Sequence, residues 1–274
     1  MRRMKIGLWM VIGLFGVAGF PLIAGAGGDC FVGKTRCIVE NGAPRIDDRA
    51  REEARKQSSS TLAADVALQQ LIAPIKSNPV GQSHGNWSAT WWKWVLGIPA
   101  AVNPLLDTTG EFCTQGQVDK VWFLAGTFGG TADRSCTVPT GKALFFPLIN
   151  NFAGAFLTDP AEQRTEEYIR ALASCTVPAN ISASIDGSPI PNPTDFFTGP
   201  SGSPSPIFNV QLPPGSLFGD DVPELKLTPS AEQGYYLLVR PLPPGKHTIR
   251  WTASGCTPGN SQDITYHLTV KTGK

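Results

Sequence analysis

The most regular stretch of the chain lies near its C-terminal end. From Ile264 to Val270 apolar and polar residues alternate strictly, with Ile264, Tyr266, Leu268 and Val270 on one face and Thr265, His267 and Thr269 on the other. A period of two belongs to a strand with one side buried. Shorter apolar runs predict further strands at 118–125, 142–149, 181–185, 207–212, 235–240 and 246–253. Turn signals separate them. Asp186-Gly187 follows 181–185, and such a pair favours a tight hairpin because its turn needs positive φ at both positions. Pro213-Pro214-Gly215 and Pro243-Pro244-Gly245 suit type II turns. Residues 187–206 hold Pro, Gly and Ser in excess and read as a surface loop.

The helical period appears in three places. Trp87, Trp91, Trp94 and Ile98 recur at i, i+4, i+7 and i+11 and predict a helix with one buried tryptophan stripe. Trp92 lies off that stripe. It is therefore expected to be the least buried of the group and the best candidate for stacking on a ligand. Ser60 is placed to cap a helix over 61–72, ended by Pro74. Asp159-Pro160-Ala161-Glu162 has the cap, proline and acid of a helix start, with the helix running to about Ser174. Many short strands and few helices predict a mainly β fold, an antiparallel β-sandwich of jelly-roll or immunoglobulin-like kind, over residues 79–274. The helices would be insertions on it.

The first 26 residues follow a different pattern. Arg2, Arg3 and Lys5 precede an uncharged apolar run from Ile6 to Ile23, and Ala24-Gly25-Ala26 supplies small residues at a cleavage site. This reads as a secretory signal peptide cleaved after Ala26. A retained membrane anchor is the rival reading, since the run is just long enough to span. The glycines at 7, 13, 16 and 19 and Pro21 favour cleavage, after which no membrane span is expected. Residues 27–78 form a charged, partly helical extension. Its block from Asp47 to Lys56 mixes both signs and reads as a solvated helix or spacer.

Composition narrows the function classes. Only 16% of residues are charged, against about 25% in a typical domain, while 29 glycines and 24 prolines mark a turn-rich chain. With 23 basic and 22 acidic residues there is no broad positive field, and nucleic acid is not an expected partner. All six cysteines, Cys30, Cys37, Cys113, Cys136, Cys175 and Cys256, follow the signal segment. An even count in an exported chain favours disulfides over metal binding, for which neither a CxxC pair nor a Cys/His cluster is present. Sequence proximity favours Cys30–Cys37 and Cys113–Cys136, leaving Cys175–Cys256. Secretion to the periplasm, cell surface or medium is the expected localisation.

No convincing catalytic set emerges. Gly81-Gln82-Ser83-His84-Gly85 matches the GxSxG nucleophile pattern, but no strand precedes it and the wider chain is not α/β. Ser83 or Asn86 is better read as a cap for the tryptophan helix. His84, His247 and His267 have no zinc-ligand spacing, and the acids at Glu111, Asp119, Glu162, Glu166, Glu167 and Asp195 include no pair singled out by spacing. No phosphate loop is present, and neither a cofactor nor a metal is expected.

The blocks WSATWWKW (87–94), KVWFLAGTF (120–128), RSCTVPTGKALFFPLIN (134–150), GYYLLVRPLPPGKHTI (234–249) and DITYHLTV (263–270) resemble those of a family of exported bacterial proteins with no assigned function. The resemblance spans roughly 81–271. It implies one secreted domain, supports the Cys113–Cys136 pair around the VWFLAG strand, and transfers no catalytic residue. The function expected is an exported module for binding or surface structure, with a carbohydrate or cell-surface polymer as ligand and Trp92 as contact. The alternative is a secreted hydrolase acting on a glycan or ester.

Overall fold

The computed structural model describes residues 48–117, 119–219 and 221–272, and before them the backbone of four short strands. The chain divides into two compact units, 1–63 and 64–274. In the first, β1 (Ile23–Ala24), β2 (Cys30–Val32), β3 (Thr35–Glu40) and β4 (Ala43–Ile46) pair antiparallel in chain order. The register sets Cys30 opposite Cys37, although both side chains lie outside the described residues. The predicted signal segment also lies outside them, apart from the backbone of β1.

Helix α1 (Asp48–Leu71) begins well before the expected cap at Ser60. The charge block is itself made of strong helix formers, and Glu52 and Lys56 pair at 3.6 Å one turn apart. The helix therefore extends back through the block, and Ser60 lies inside it.

The second unit holds α2 (His84–Leu96), β5 (Val121–Phe123), β6 (Gly130–Pro139), β7 (Ala143–Gly154), α3 (Glu166–Leu172), β8 (Val177–Ile185), β9 (Ser188–Pro189), β10 (Phe208–Gln211), β11 (Lys226–Val239), β12 (Gly245–Cys256) and β13 (Ser261–Lys271). It is mainly β, in two sheets of strand order β10-β11-β7-β5 and β6-β13-β12-β8-β9. The expectation of purely antiparallel sheets is corrected. β5 runs parallel to β7 and β6 parallel to β13, so each sheet is mixed. Among the described residues no helix is long and apolar enough to cross a membrane.

The two sheets face each other across one core, where Phe146 of β7 stacks on Trp251 of β12 at 5.0 Å. The four-stranded sheet is covered on its other face by α2, where Phe145 stacks on Tyr236 at 5.4 Å. A strand buried on both faces needs an unbroken apolar run, and the run from Ala143 to Ile149 supplies it. The β13 alternation holds as predicted, and Asp186 and Gly187 adopt the positive φ of the expected hairpin between β8 and β9.

Three elements differ from expectation. β6 has inward positions Ala132, Arg134, Cys136 and Val138, and the arginine hides the alternation. β11 starts at Lys226 rather than 235, because its first half turns Ser230, Glu232 and Gly234 inward and looks like a loop in sequence. α3 is short and is capped by Thr165, whose hydroxyl accepts the Tyr168 amide at 3.2 Å. Asp159 instead accepts the Phe156 amide at 2.7 Å.

Candidate functional site

Helix α2 organises the site. Ser83 is its N-cap and accepts the Asn86 amide at 3.2 Å, the structural role weighed for it in sequence. Gly85 lets the helix start lie directly against the 203–204 backbone, where a Cβ would collide with the Pro204 carbonyl. The buried arc of the helix comprises His84, Gly85, Trp87, Ser88, Ala89, Trp91, Trp92, Val95 and Leu96. The predicted stripe is therefore corrected: Trp92 is only 7% exposed, and Trp94 is the half-buried tryptophan. Small Ser88 and Ala89 belong to the buried face, which rotates its centre toward Trp92. A count of large apolar residues does not register them.

Trp91 sends its indole N–H to the Leu124 carbonyl at 2.9 Å, and Trp92 meets it edge-on at 5.0 Å. Trp92 also packs against Phe152 at 4.7 Å. Beside this aromatic group opens a cleft of about 540 Å³, within the range of small-molecule sites. Trp91, Trp92 and Phe152 line its inner part. Phe128, 66% exposed, and Phe218, 46% exposed, line it from two separate loops. Asn150, Asn151, Asn260 and Gln262 add amide groups, and among the described residues none that lines the cleft carries a charge.

One wall is the turn 257–260 between β12 and β13. Gly259 takes a left-handed φ of 74° there, and the Gly255 amide closes on the Asn260 carbonyl at 3.1 Å. The Cys175–Cys256 disulfide, with a Cα separation of 4.1 Å, ties the base of this turn to the start of β8. Cys113–Cys136 is also formed, as expected, with Cα atoms 6.0 Å apart. Gln262 braces the floor: it donates to the Leu148 carbonyl at 2.6 Å and accepts the Thr127 amide at 3.1 Å.

Behind the cleft lies a buried polar group that the sequence reading missed. Trp92 donates its indole N–H to the Tyr236 hydroxyl oxygen at 3.0 Å, and the Asn150 amide donates to the same oxygen at 2.9 Å. The Tyr236 hydroxyl also neighbours the Glu232 carboxylate. Glu232 is 1% exposed. Ser88 reaches its Oε1 at 2.6 Å and Thr198 its Oε2 at 3.2 Å. Burial pushes the Glu232 carboxyl up to about 7, against the pull of hydrogen bonds from Ser88, Tyr236, Thr198 and Ser205. Burial, joined by the Glu232 charge, pushes the Tyr236 hydroxyl well up, so it stays protonated. His84, one turn before Ser88, is fully buried, and burial pulls its imidazole down to about 4.

The other histidines lie away from this group. His247 bonds Asp186 at 2.7 Å and His267 bonds Asp133 at 2.9 Å. Among the described residues no His, Cys, Asp and Glu side chains cluster as a metal site. Of the sequence candidates, only Trp92 lines the cleft. Asn150, Phe128, Phe218 and Glu232 come from separate segments, and no local spacing links them. The one usable signal is Gly234 in β11, where a Cβ would meet the Ile149 carbonyl at 2.7 Å and which marks the close approach of β7 and β11 beside Glu232.

No family model matches the chain, and the curated proteins include no match. Among solved structures, the chain described as "Structure of PbICP-C in complex with falcipain-2" matches at 14% identity. The match covers 56% of this chain and 99% of that one, with a TM-score of 0.23. A likeness that weak supports no inference about fold or function.

Proposed function

We propose that this is an exported β-sandwich, of jelly-roll or immunoglobulin-like kind, whose cleft beside α2 binds an uncharged carbohydrate. The observation that carries the reading is the lining of the cleft: five aromatic residues and four amide side chains, with no charged group among the described residues. Sugar rings offer apolar C–H faces that stack on aromatic rings, and hydroxyls that pair with amides. A charged ligand would leave its charge unpaired in such a cleft. The facing sheets support the sandwich. The two disulfides are of the kind formed in oxidising compartments and support export.

The test is binding of the purified protein to immobilised neutral and charged glycans, repeated with Phe128→Ala and Phe218→Ala. Neither residue belongs to the buried core, so both variants should fold. Neutral glycans should bind, and each substitution should weaken binding about tenfold, the order of one aromatic contact. Binding confined to charged glycans, or neutral binding that ignores both substitutions, would overturn the reading. Cleavage of a bound glycan would point to the hydrolase alternative.

A further inference from the structure

The cleft floor is wired to a buried carboxyl whose neighbours can serve either of its protonation states. Ser88 has one hydroxyl proton and two acceptors in reach, Glu232 Oε1 at 2.6 Å and the Gly85 carbonyl at 2.8 Å. Thr198 likewise has Glu232 Oε2 at 3.2 Å and the Gly234 carbonyl at 3.1 Å. Ser205 reaches the Glu232 carbonyl oxygen at 3.2 Å and also neighbours the carboxyl. When Glu232 is ionised, these hydroxyls and Tyr236 donate to it. When it is protonated, it can donate to Ser88, which turns its own proton to Gly85. Neither state leaves a polar group unpaired, so the carboxyl can titrate without unfolding its surroundings.

The two states act differently on Tyr236. Donation to a carboxylate is charge-assisted and roughly twice as strong as donation to a neutral carboxyl. It also polarises the Tyr236 oxygen, making it a better acceptor for the Trp92 and Asn150 N–H groups. Both of those residues line the cleft.

We propose that Glu232 is a positioning residue for the cleft: its ionised form locks Tyr236, and through it Trp92 and Asn150, in the ligand-binding arrangement, so that the proton on Glu232 sets ligand affinity. The proposal rests on the carbohydrate reading of the cleft. Other titratable or charged groups around Glu232 are few. From α2, His84 has its ring near Phe145, and Lys93 lies outside over the Phe208 ring. From α3, Arg170 reaches the Ser205 carbonyl at 3.2 Å and is held by Glu166 at 2.8 Å. β7 offers Asn150, Asn151 and Phe152, and the 197–205 loop brings no charge.

The experiment has a ligand-free arm and a ligand arm, both on the intact disulfide-bonded protein. In the first, tryptophan fluorescence is followed across neutral pH in the wild type, Glu232→Gln and Ser88→Ala. The wild type should show one transition near pH 7, as the carboxyl ionises. Glu232→Gln should lack it. Ser88→Ala, one donor poorer, should move it to higher pH, and this variant keeps the test alive if the first fails to fold.

In the second arm, neutral cello- and chito-oligosaccharides are titrated calorimetrically. Wild-type affinity should be at least about fivefold tighter at about pH 8 than at about pH 6, and Glu232→Gln should be flat. Binding near neutral pH should release protons, because linkage is reciprocal. A fluorescence transition that survives unchanged in Glu232→Gln, or the same affinity profile in both proteins, overturns the proposal. Absence of oligosaccharide binding at both pH values overturns the cleft reading instead, and the fluorescence arm tells the two failures apart.

Discussion

Two ionisable side chains are buried to the same degree in this unit, Arg134 and Glu232, each 1% exposed. Their surroundings differ in kind. Arg134 sends its N–H groups to the carbonyls of Asp107 at 2.6 Å and Gly126 at 3.0 Å, to the Ala125 carbonyl, and to the Tyr266 hydroxyl at 2.8 Å. Its guanidinium also lies over the Tyr266 ring at 5.3 Å. Three of its partners are backbone oxygens, which only accept and cannot turn. Such a cage fits one protonation state. It suits arginine, whose charge is permanent. Glu232 is surrounded by Ser88, Thr198, Ser205 and Tyr236, all hydroxyls that rotate and can either donate or accept. Burial alone therefore does not decide whether an ionisable group is structural or responsive. The mobility of its partners' protons decides it. The arginine cage pins the 107–112 and 125–126 segments to β6. The hydroxyl cage leaves a titratable group behind the cleft.

The largest effect should come from the fixed cage. Arg134→Met strands the Asp107 and Gly126 carbonyls, while Ala125 keeps the Tyr266 hydroxyl, and should cost about 3–5 kcal/mol, since each buried acceptor left unpaired costs about 1–3 kcal/mol. Guanidinium denaturation at about pH 5 and about pH 8 should give the same loss at both. A loss confined to one pH would break the contrast.

Next comes Glu232→Gln. The folded carboxyl ionises at about 7 against an ordinary 4.5, so the folded state holds its proton longer than the unfolded chain. Glu232 therefore stabilises fully below 4.5, and this contribution is lost as pH rises to about 7. The shift is worth roughly 3 kcal/mol, so Glu232→Gln should gain up to that much over wild type at about pH 8 and nothing at about pH 4.5.

The smallest effect is that of His84. Its folded imidazole ionises at about 4 rather than 6.5, so its contribution is present above 6.5 and is lost as pH falls through that window. His84→Leu should then be more stable than wild type by roughly 2 kcal/mol at about pH 5 and gain nothing from this source at about pH 8. The His84 and Glu232 slopes oppose each other over most of their windows. Their joint effect should be a flat stability profile in mild acid that falls only toward neutrality. Denaturation of the double variant across pH should reveal neither slope.

The sequence was legible where inward positions are apolar and opaque where they are not. β13 could be read from Ile264, Tyr266, Leu268 and Val270 alone. β6 could not, because Arg134 occupies an inward position, nor could the first half of β11, where Ser230, Glu232 and Gly234 do. On α2 the helix itself was legible. Its buried centre was displaced by Ser88, which belongs inside because Glu232 is there to receive its proton. By composition the 187–206 loop reads as surface. Its end is built into the core by Thr198, Ser203 and Ser205, which are buried against β11 and the start of α2. Each miss traces to one circumstance: a polar residue inside is justified only by a partner far along the chain. The cleft was invisible for a related reason, since its aromatic and amide residues come from segments separated by tens of residues and meet only after the sheets pair. Trp92 reads in sequence as the least buried of its group, and it reaches the cleft from a largely buried position instead.

The most direct measurement is the carboxyl carbon chemical shift of Glu232 against pH, by nuclear magnetic resonance on protein labelled at glutamate and assigned with Glu232→Gln. Burial, set against the hydrogen bonds of the hydroxyl cage, predicts a single titration with its midpoint near 7. A midpoint at or below the ordinary 4.5 would contradict it, and with it the contrast between a fixed and a responsive buried charge.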